Sequence, residues 1–399
     1  MNRKLKLIEF IIFFCIFIVL LFQNFLEQYI SVVKSLDEVI PWMLLILFLV
    51  KVMVNKFTIK INGKILKNNL KILIYILFIA LIGIIGNGVY RYQNSSAVLN
   101  DLLIVFKGFL TYVFASLLFQ YRYFEDYYKV INNIMKFITL TIFILVISNY
   151  ILKVFPSMDI RNGIPSQQLF FTHPTYLASF SVAIISILTL LQDKYKHNIY
   201  YIYLMTIVIC STLRSKAIMF IGIYYLVYYL VIKKEKRIKI GLSTLIVVLG
   251  VILGADQIIK YLSNSDWARS ALMIKSFQVA KDHFPLGSGF ATFGTWNSGV
   301  SYSQLYYDYH LSHIYGLTPV YYMYVADTYW PAIIAQFGVF GFILTIYILF
   351  NIFKNISVCK NKYKYLGKLS ILMYLLILST AESAFMSPIA PLLCLIMAL

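Results

Sequence analysis

The stretch KILIYILFIALIGII, residues 71–85, decides the fold: it is charged at its first residue only and continues apolar toward Tyr90. It approaches the roughly 20 apolar residues needed to cross about 30 Å of hydrocarbon. The runs Leu7 to Phe22 and Ile238 to Ile252 read the same way. Inside a bilayer every backbone amide needs an internal partner, which leaves helices or a closed barrel. Barrel strands alternate polar and apolar residues, and these runs do not. The whole chain agrees, with 61% hydrophobic and 13% charged residues and a mean hydropathy of +0.79. Soluble domains have about half apolar and a quarter charged residues.

Working outward, apolar runs predict spans near 7–26, 39–55, 70–90, 100–120, 130–152, 167–192, 199–213, 217–232, 240–260, 327–353 and 366–384, plus a short terminal segment interrupted by Pro388 and Pro391. The expected fold class is an all-α polytopic membrane protein of eleven or twelve transmembrane helices. It is a single integral membrane domain over 1–399, with one large extracytoplasmic loop at 261–326 as a subdomain. The first run follows Arg3, Lys4 and Lys6 like a signal peptide but has no small-x-small cleavage pattern, so it reads as a retained span. Cys15, Cys210, Cys359 and Cys394 lie in or beside apolar runs without metal-ligand spacing, so neither a disulfide framework nor a zinc site is expected.

The net charge of +19 is topogenic rather than a nucleic-acid footprint. With the N-terminus cytoplasmic, alternation puts 24 of the 35 basic residues into inner loops, as the positive-inside rule requires. Those loops hold 21 Lys and 3 Arg, whereas the outer side holds 6 Lys and 4 Arg, namely Arg91, Arg161, Arg214 and Arg269. Lysine is the default cation here, so arginine on the disfavoured side suggests bidentate binding of phosphate or carboxylate. The alternative is that each pairs with a nearby acid. Arg214 and Lys216 lie in a turn between two short apolar runs, drawn below headgroup level, where a guanidinium needs a wet cavity or an anion. Lys107, near the outer end of its span, is expected to snorkel to the surface.

The outer loop has a predicted helix from Trp267 to Lys281 carrying Arg269, then Pro285 and the segment Gly287-Ser288-Gly289-Phe290-Ala291-Thr292-Phe293-Gly294. No strand precedes these glycines, so a nucleotide loop is discounted and a tight backbone re-entry toward the membrane is expected. Beyond Trp296 come Tyr302, Tyr306, Tyr307, Tyr309, Tyr315, Tyr321, Tyr322, Tyr324, Tyr329 and Trp330, with His310 and His313 among them. Such rings suit the C–H faces and hydroxyl edges of sugars, or else form an interfacial belt. Acids on this side show no metal-ligand or DxD spacing, so no metal or other cofactor is expected. Asp327 stands at the mouth of a span, as a helix cap or a site residue.

Three blocks carry a family resemblance. Arg161-Asn162-Gly163 with Phe171-Thr172-His173-Pro174-Thr175 is like an arginine, a glycine and an F-x-H-P-N stretch before a span. Thr212-Leu213-Arg214-Ser215 is like a T-x-S-R span end with the last two residues exchanged. Arg269, Lys281-Asp282-His283-Phe284-Pro285-Leu286-Gly287-Ser288-Gly289-Phe290 and Gln336-Phe337-Gly338-Val339-Phe340-Gly341 are like K-D-H-P-L-x-G-x-G followed by F-G-x-x-G. In these blocks, over roughly residues 155–350, the chain resembles the O-antigen ligase and Wzy-type polysaccharide polymerase superfamily of bacterial envelope glycan assembly. Many relatives, ligases especially, carry a His-Asn pair where this chain has Asp327-Thr328, which favours polymerase over ligase.

The resemblance implies a membrane fold related to the GT-C glycosyltransferases, in a bacterial cytoplasmic membrane. The implied activity is that of a metal-independent inverting glycosyltransferase of O-antigen, capsule or exopolysaccharide biosynthesis. It would move glycan from an undecaprenyl-type polyisoprenyl diphosphate to the non-reducing end of another lipid-linked unit. Arg161, Arg214 and Arg269, with Lys216, Tyr329 and Trp330, would bind substrate. Asp327, His310, His313 or His173 would orient or deprotonate the acceptor hydroxyl. The implied partners are the lipid-linked oligosaccharide, membrane lipids, and a chain-length regulator and flippase of the same pathway, with no nucleic acid. Rival readings are a ligase, a lipid-linked oligosaccharide flippase or transporter, and a non-catalytic scaffold. Transporters tend to show paired halves and interrupted helices, and neither is legible in this sequence.

Overall fold

The structure is a computed structural model that describes residues 3–54, 62–119, 125–161, 163–234 and 267–399. The span expected at 240–260, residues 261–266 of the loop, and Asn162 lie outside the described residues. The long helices are α1 (Arg3–Leu21), α3 (Leu36–Val54), α4 (Gly63–Tyr90), α5 (Ser95–Leu118), α6 (Tyr128–Leu152), α7 (Pro174–Leu190), α8 (Asn198–Ser211) and α9 (Ser215–Tyr228), with a short α2 (Gln23–Leu26) after α1. After the 235–266 stretch come α10 (Ala268–Asp282), the short α11 (Trp296–Val300) and α12 (Leu305–Asp308), then α13 (Tyr329–Ser357), α14 (Lys362–Leu378) and α15 (Ala390–Ala398). The chain is an all-α membrane protein: among the described residues, five helices of 19 to 29 residues are long and apolar enough to cross a bilayer.

Side-chain caps start several of these helices. Asn62, Asn94 and Asn361 accept backbone N–H bonds at the starts of α4, α5 and α14. α5 is central, with 72% of its apolar window buried against 28% for α4. At one end of the bundle, the loop end, α4, α5 and α13 hold residues 283–298. At the other, Lys51 of α3 pairs with Glu9 of α1 at 2.9 Å and bonds the Leu118 carbonyl that closes α5.

The Gly287 to Gly294 segment does re-enter. Phe290 is fully buried in the main helical core against Phe106 and Phe337, while Phe293 belongs to a second core with Leu272, Leu305, Tyr306, Leu311 and Val325. Asn87 of α4 brackets Phe290 with two backbone hydrogen bonds, and the buried Asp101 of α5 accepts from Ala291 N at 2.7 Å.

Several expectations are corrected. The run at 327–353 is not one continuous helix, because α13 breaks at Gly338 (φ 63°, ψ −165°). The carbonyls of Ala335 and Gln336 accept instead from Ser288 N and Gly289 N, each at 2.9 Å. An interrupted helix is therefore present. Lys107 does not snorkel: it is buried in an ion pair with Asp37, which also accepts from Gln23 Nε2 at 2.8 Å. The run at 366–384 ends as helix at Leu378, and residues 379–389 fold back among the helices, stacking Phe385 on Phe109 of α5. α15 has nine buried residues, about 13 Å at 1.5 Å per residue. The run at 167–192 becomes helix only at Pro174, after an irregular stretch whose Gln167 N bonds Ser211 O.

Candidate functional site

Between α6 and α7 the chain makes a two-residue antiparallel hairpin, β1 (Ile160–Arg161) against β2 (Ile164–Pro165), with Gly163 at φ 78° in its turn. The hairpin carries Asp159 and Arg161. Ser166 Oγ donates to the Asp159 carboxylate, and Ser166 N donates to Asp159 O at 2.9 Å. α8 and α9 are each 14 residues long, and Arg214 is the N-cap residue of α9, so the short hairpin of helices sets this side chain into the end of the bundle. Its side chain is 13% exposed.

Two of the singled-out arginines converge here. Arg161 Nε donates to Asp159 Oδ2 at 2.8 Å and Arg214 Nη2 to Asp159 Oδ1 at 3.2 Å, while Arg161 Nη1 reaches Leu213 O at 3.1 Å. Arg214 Nε is buried and has no acceptor among the described residues. Lys216, on the first turn of α9, pairs with Glu382 and donates to Ala381 O at 3.1 Å, tying the turn to the 379–389 connection. Burial raises the Asp159 carboxyl, but the Ser166 hydroxyl and the two arginines outweigh it and hold its pKa below the usual carboxylate range. Burial, then the charge of Arg161, lowers Arg214, with Asp159 and Glu382 opposing.

His173 faces the same cations. Burial first, then Arg214, depresses its pKa to about 4, with Lys216 and Arg161 adding and Asp159 opposing. Its Nδ1 accepts from Thr175 N at 3.0 Å, capping α7. The hydrogen-bond network thus assigns the proton of the neutral ring to Nε2. With Nδ1 taken by the Thr175 amide, the neutral His173 ring offers Nε2–H as a donor near Arg161 and Arg214.

Arg269 and Asp327 form a second pair. From α10, Arg269 Nη2 and Nε donate to Asp327 Oδ2 at 2.7 and 3.2 Å. Asp327 is not a helix cap, since Thr328 holds that position in α13 without a side-chain cap bond. Among the described residues no hydrogen bond or ion pair joins this pair to Arg161 or Arg214. The two groups share one stretch of structure: Trp330 Nε1, three residues beyond Asp327, donates to Ser379 Oγ at 3.0 Å, and Glu382 follows on the same connection.

The aromatic residues divide by burial. Tyr306 is enclosed, bonding Gly294 N and Ser298 Oγ, and Tyr309 donates to Asp282 at 2.8 Å. Tyr329 is buried against Phe385 and Trp330, facing the core rather than solvent. Tyr307, Tyr315, Tyr321 and Tyr324 are exposed, the last three with ring centroids 5.0 to 6.2 Å apart. His310 and His313 lie exposed on this loop, and no hydrogen bond or ion pair links their rings to either arginine group among the described residues. Among those residues no three His, Cys, Asp or Glu side chains are grouped to hold a metal ion.

Sequence reasoning missed the partners: Asp159, Ser166 and Glu382. Asp159 had a signal, an acid two residues from an arginine. Glu382 had none, because it is 166 residues from Lys216. One small apolar cavity is lined by Phe13, Phe17 and Tyr128, and another small cavity is bordered by Gln23, Asn24 and Tyr176; neither touches Arg161, Arg214 or Arg269.

Fold and site define a helical membrane protein with a cationic cluster at one end. Compared with protein-family models, curated proteins and solved structures, the chain matches none.

Proposed function

We propose that this chain is a membrane polysaccharide polymerase, transferring glycan from a polyisoprenyl diphosphate to the non-reducing end of a second lipid-linked unit at the extracytoplasmic face. The carrying observation is the convergence of Arg161 and Arg214, 53 positions apart, on one carboxylate at the end of a membrane bundle. A lipid diphosphate places its anion at that depth while its tail stays in hydrocarbon, each buried CH₂ being worth about 0.8 kcal/mol.

In this reading the acceptor oxygen forms a bond to the anomeric carbon as the bond from that carbon to the diphosphate breaks. Configuration inverts, and the acceptor proton passes to a base. Arg161 and Arg214 stabilise the charge gathering on the departing diphosphate, with His173 Nε2–H as a further donor. Asp327, held by Arg269, orients or deprotonates the acceptor hydroxyl; His310 and His313 are the other candidate bases. The exposed tyrosines supply sugar-facing surface, and the fold is read as GT-C-related with its long connection outside the cell.

The interrupted α13 and the buried Asp37–Lys107 pair favour a second reading, a lipid-oligosaccharide transporter. Against it, the carbonyls opened at the break are taken by Ser288 and Gly289 rather than facing a cavity. Purified protein supplied with a synthetic polyisoprenyl diphosphate oligosaccharide separates the readings. Elongation supports polymerase; transfer to a foreign acceptor means ligase; vesicle-to-vesicle movement without either reaction means transporter.

A further inference from the structure

Asp159 occupies the place between two guanidinium groups that an anionic ligand would take. Its two oxygens lie 2.8 Å from Arg161 Nε and 3.2 Å from Arg214 Nη2, so a single carboxylate spans both cations. Lys216 alongside is already matched by Glu382. Two arginines against one aspartate leave the trio with a surplus positive charge. Arg214 Nε, buried without an acceptor, shows that the carboxylate does not saturate the donors around it. Asp159 is also replaceable by position: its side chain is 33% exposed, and ion pairs in contact with water are held weakly.

Resting on the reading of this cluster as the diphosphate site, we infer that Asp159 is a built-in competitor that sets the affinity threshold of the site. Its carboxylate fills the phosphate position of the unliganded protein and must be displaced before a lipid-linked phosphate or diphosphate binds. A lipid phosphodiester carries one negative charge, so exchanging it for the carboxylate leaves the electrostatics of the two arginines nearly unchanged. A lipid diphosphate diester carries two, and its second phosphate supplies oxygens for Arg214 Nε. Displacing Asp159 weakens both classes by the same factor, so the weaker anion fails to bind at a concentration at which the diphosphate still does.

The test uses sugar-free probes, farnesyl methyl phosphate and P1-farnesyl-P2-methyl diphosphate, titrated against full-length protein in lipid nanodiscs. Wild type is expected to prefer the diphosphate by about tenfold or more, a ratio typical of one charge-assisted contact. Asp159→Asn should bind both probes more tightly by a similar factor, about tenfold or more, with the ratio between them retained. Ser166→Ala, which keeps the carboxylate but removes the hydroxyl that holds it, should tighten both by a smaller amount. It decides alone if Asp159→Asn does not yield monodisperse protein, since unchanged affinities there overturn the inference. Affinities unchanged in Asp159→Asn remove the role of Asp159, and a wild-type ratio near one removes the Arg214 Nε contact, each leaving the anion site standing. If wild type binds neither probe, or Arg214→Ala binds both as well as wild type does, the diphosphate site itself is lost.

Discussion

Arg214 tests whether geometry, rather than charge alone, matters at the site. Lysine keeps the charge but lacks the planar fork, and it cannot offer Nη2 to Asp159 while presenting Nε to a second acceptor. A charge-assisted bond nets about 1.5–3 kcal/mol, so Arg214→Lys should slow elongation about ten- to one-hundredfold. In a strain lacking the gene, polymer ladders on gels should collapse to short products; full ladders from both Arg214→Lys and Asp327→Asn would remove the site. His173 gives a pH-dependent prediction. Its folded pKa of about 4 lies below the ordinary 6.5, so between those values the unfolded chain binds the proton and the folded one does not. The stability it contributes is complete above pH 6.5 and is lost as pH falls toward 4. His173→Gln should flatten thermal stability across that window. At this scale the sequence exposed the arginines through their bias against lysine, but not their roles. Arg161 and Arg214 are claimed by Asp159 and Arg269 by Asp327, and no local pattern ranks one carboxylate above another.

Among elements, the decisive junction joins the glycine segment to the break in α13. Gly287 has φ 75°, and a Cβ there would stand 2.5 Å from Gly338 N and 2.6 Å from Gln336 O, both backbone atoms unable to yield. Gly163 has a similar φ of 78° with nothing within 4 Å. Gly163→Ala should therefore cost only the left-handed backbone penalty, about 1 kcal/mol, whereas Gly287→Ala adds a steric clash for about 2–4 kcal/mol. Thermal unfolding of the two variants in detergent should show that order, and limited proteolysis should open the 290–328 region in Gly287→Ala alone. A second junction ties α3 to α5. Removing either charge of the buried Asp37–Lys107 pair strands the other, at about 3–5 kcal/mol, while Asp37→Leu with Lys107→Met together should recover most of the loss. Spans were legible from hydropathy because lipid demands it. This pair was not, because its members are 70 residues apart and Lys107 alone satisfies the pattern of a snorkelling lysine. The break at Gly338 was hidden likewise: Gln336-Phe337-Gly338 is apolar enough to pass as helix, and the freed carbonyls of Ala335 and Gln336 are satisfied from 47 positions upstream, by the Ser288 and Gly289 amides.

At the scale of the whole molecule, the distribution of charge supplies what no single contact does, a direction across the membrane. The lysine-bearing segments around Lys51, Lys129 and Lys194 alternate in sequence with those carrying Arg91, Arg161 and Arg214. Orientation follows the lysine and arginine content of short loops. The proposed function needs the loop end outside, where lipid-linked glycans are joined, and the charge bias predicts the same side. One measurement checks both. Cys15, Cys210, Cys359 and Cys394 form no disulfide among the described residues and are replaced first. Single cysteines then go to Val320, 93% exposed in the loop, and to Lys196, in the turn between α7 and α8. In intact cells a membrane-impermeant maleimide should label Val320→Cys and leave Lys196→Cys untouched until the membrane is opened. Labelling in the reverse order would turn the bundle over, placing the arginine cluster in the cytoplasm. A polymerase of extracytoplasmic lipid-linked glycan would then have its anion site on the wrong face, even with every contact around Asp159 intact.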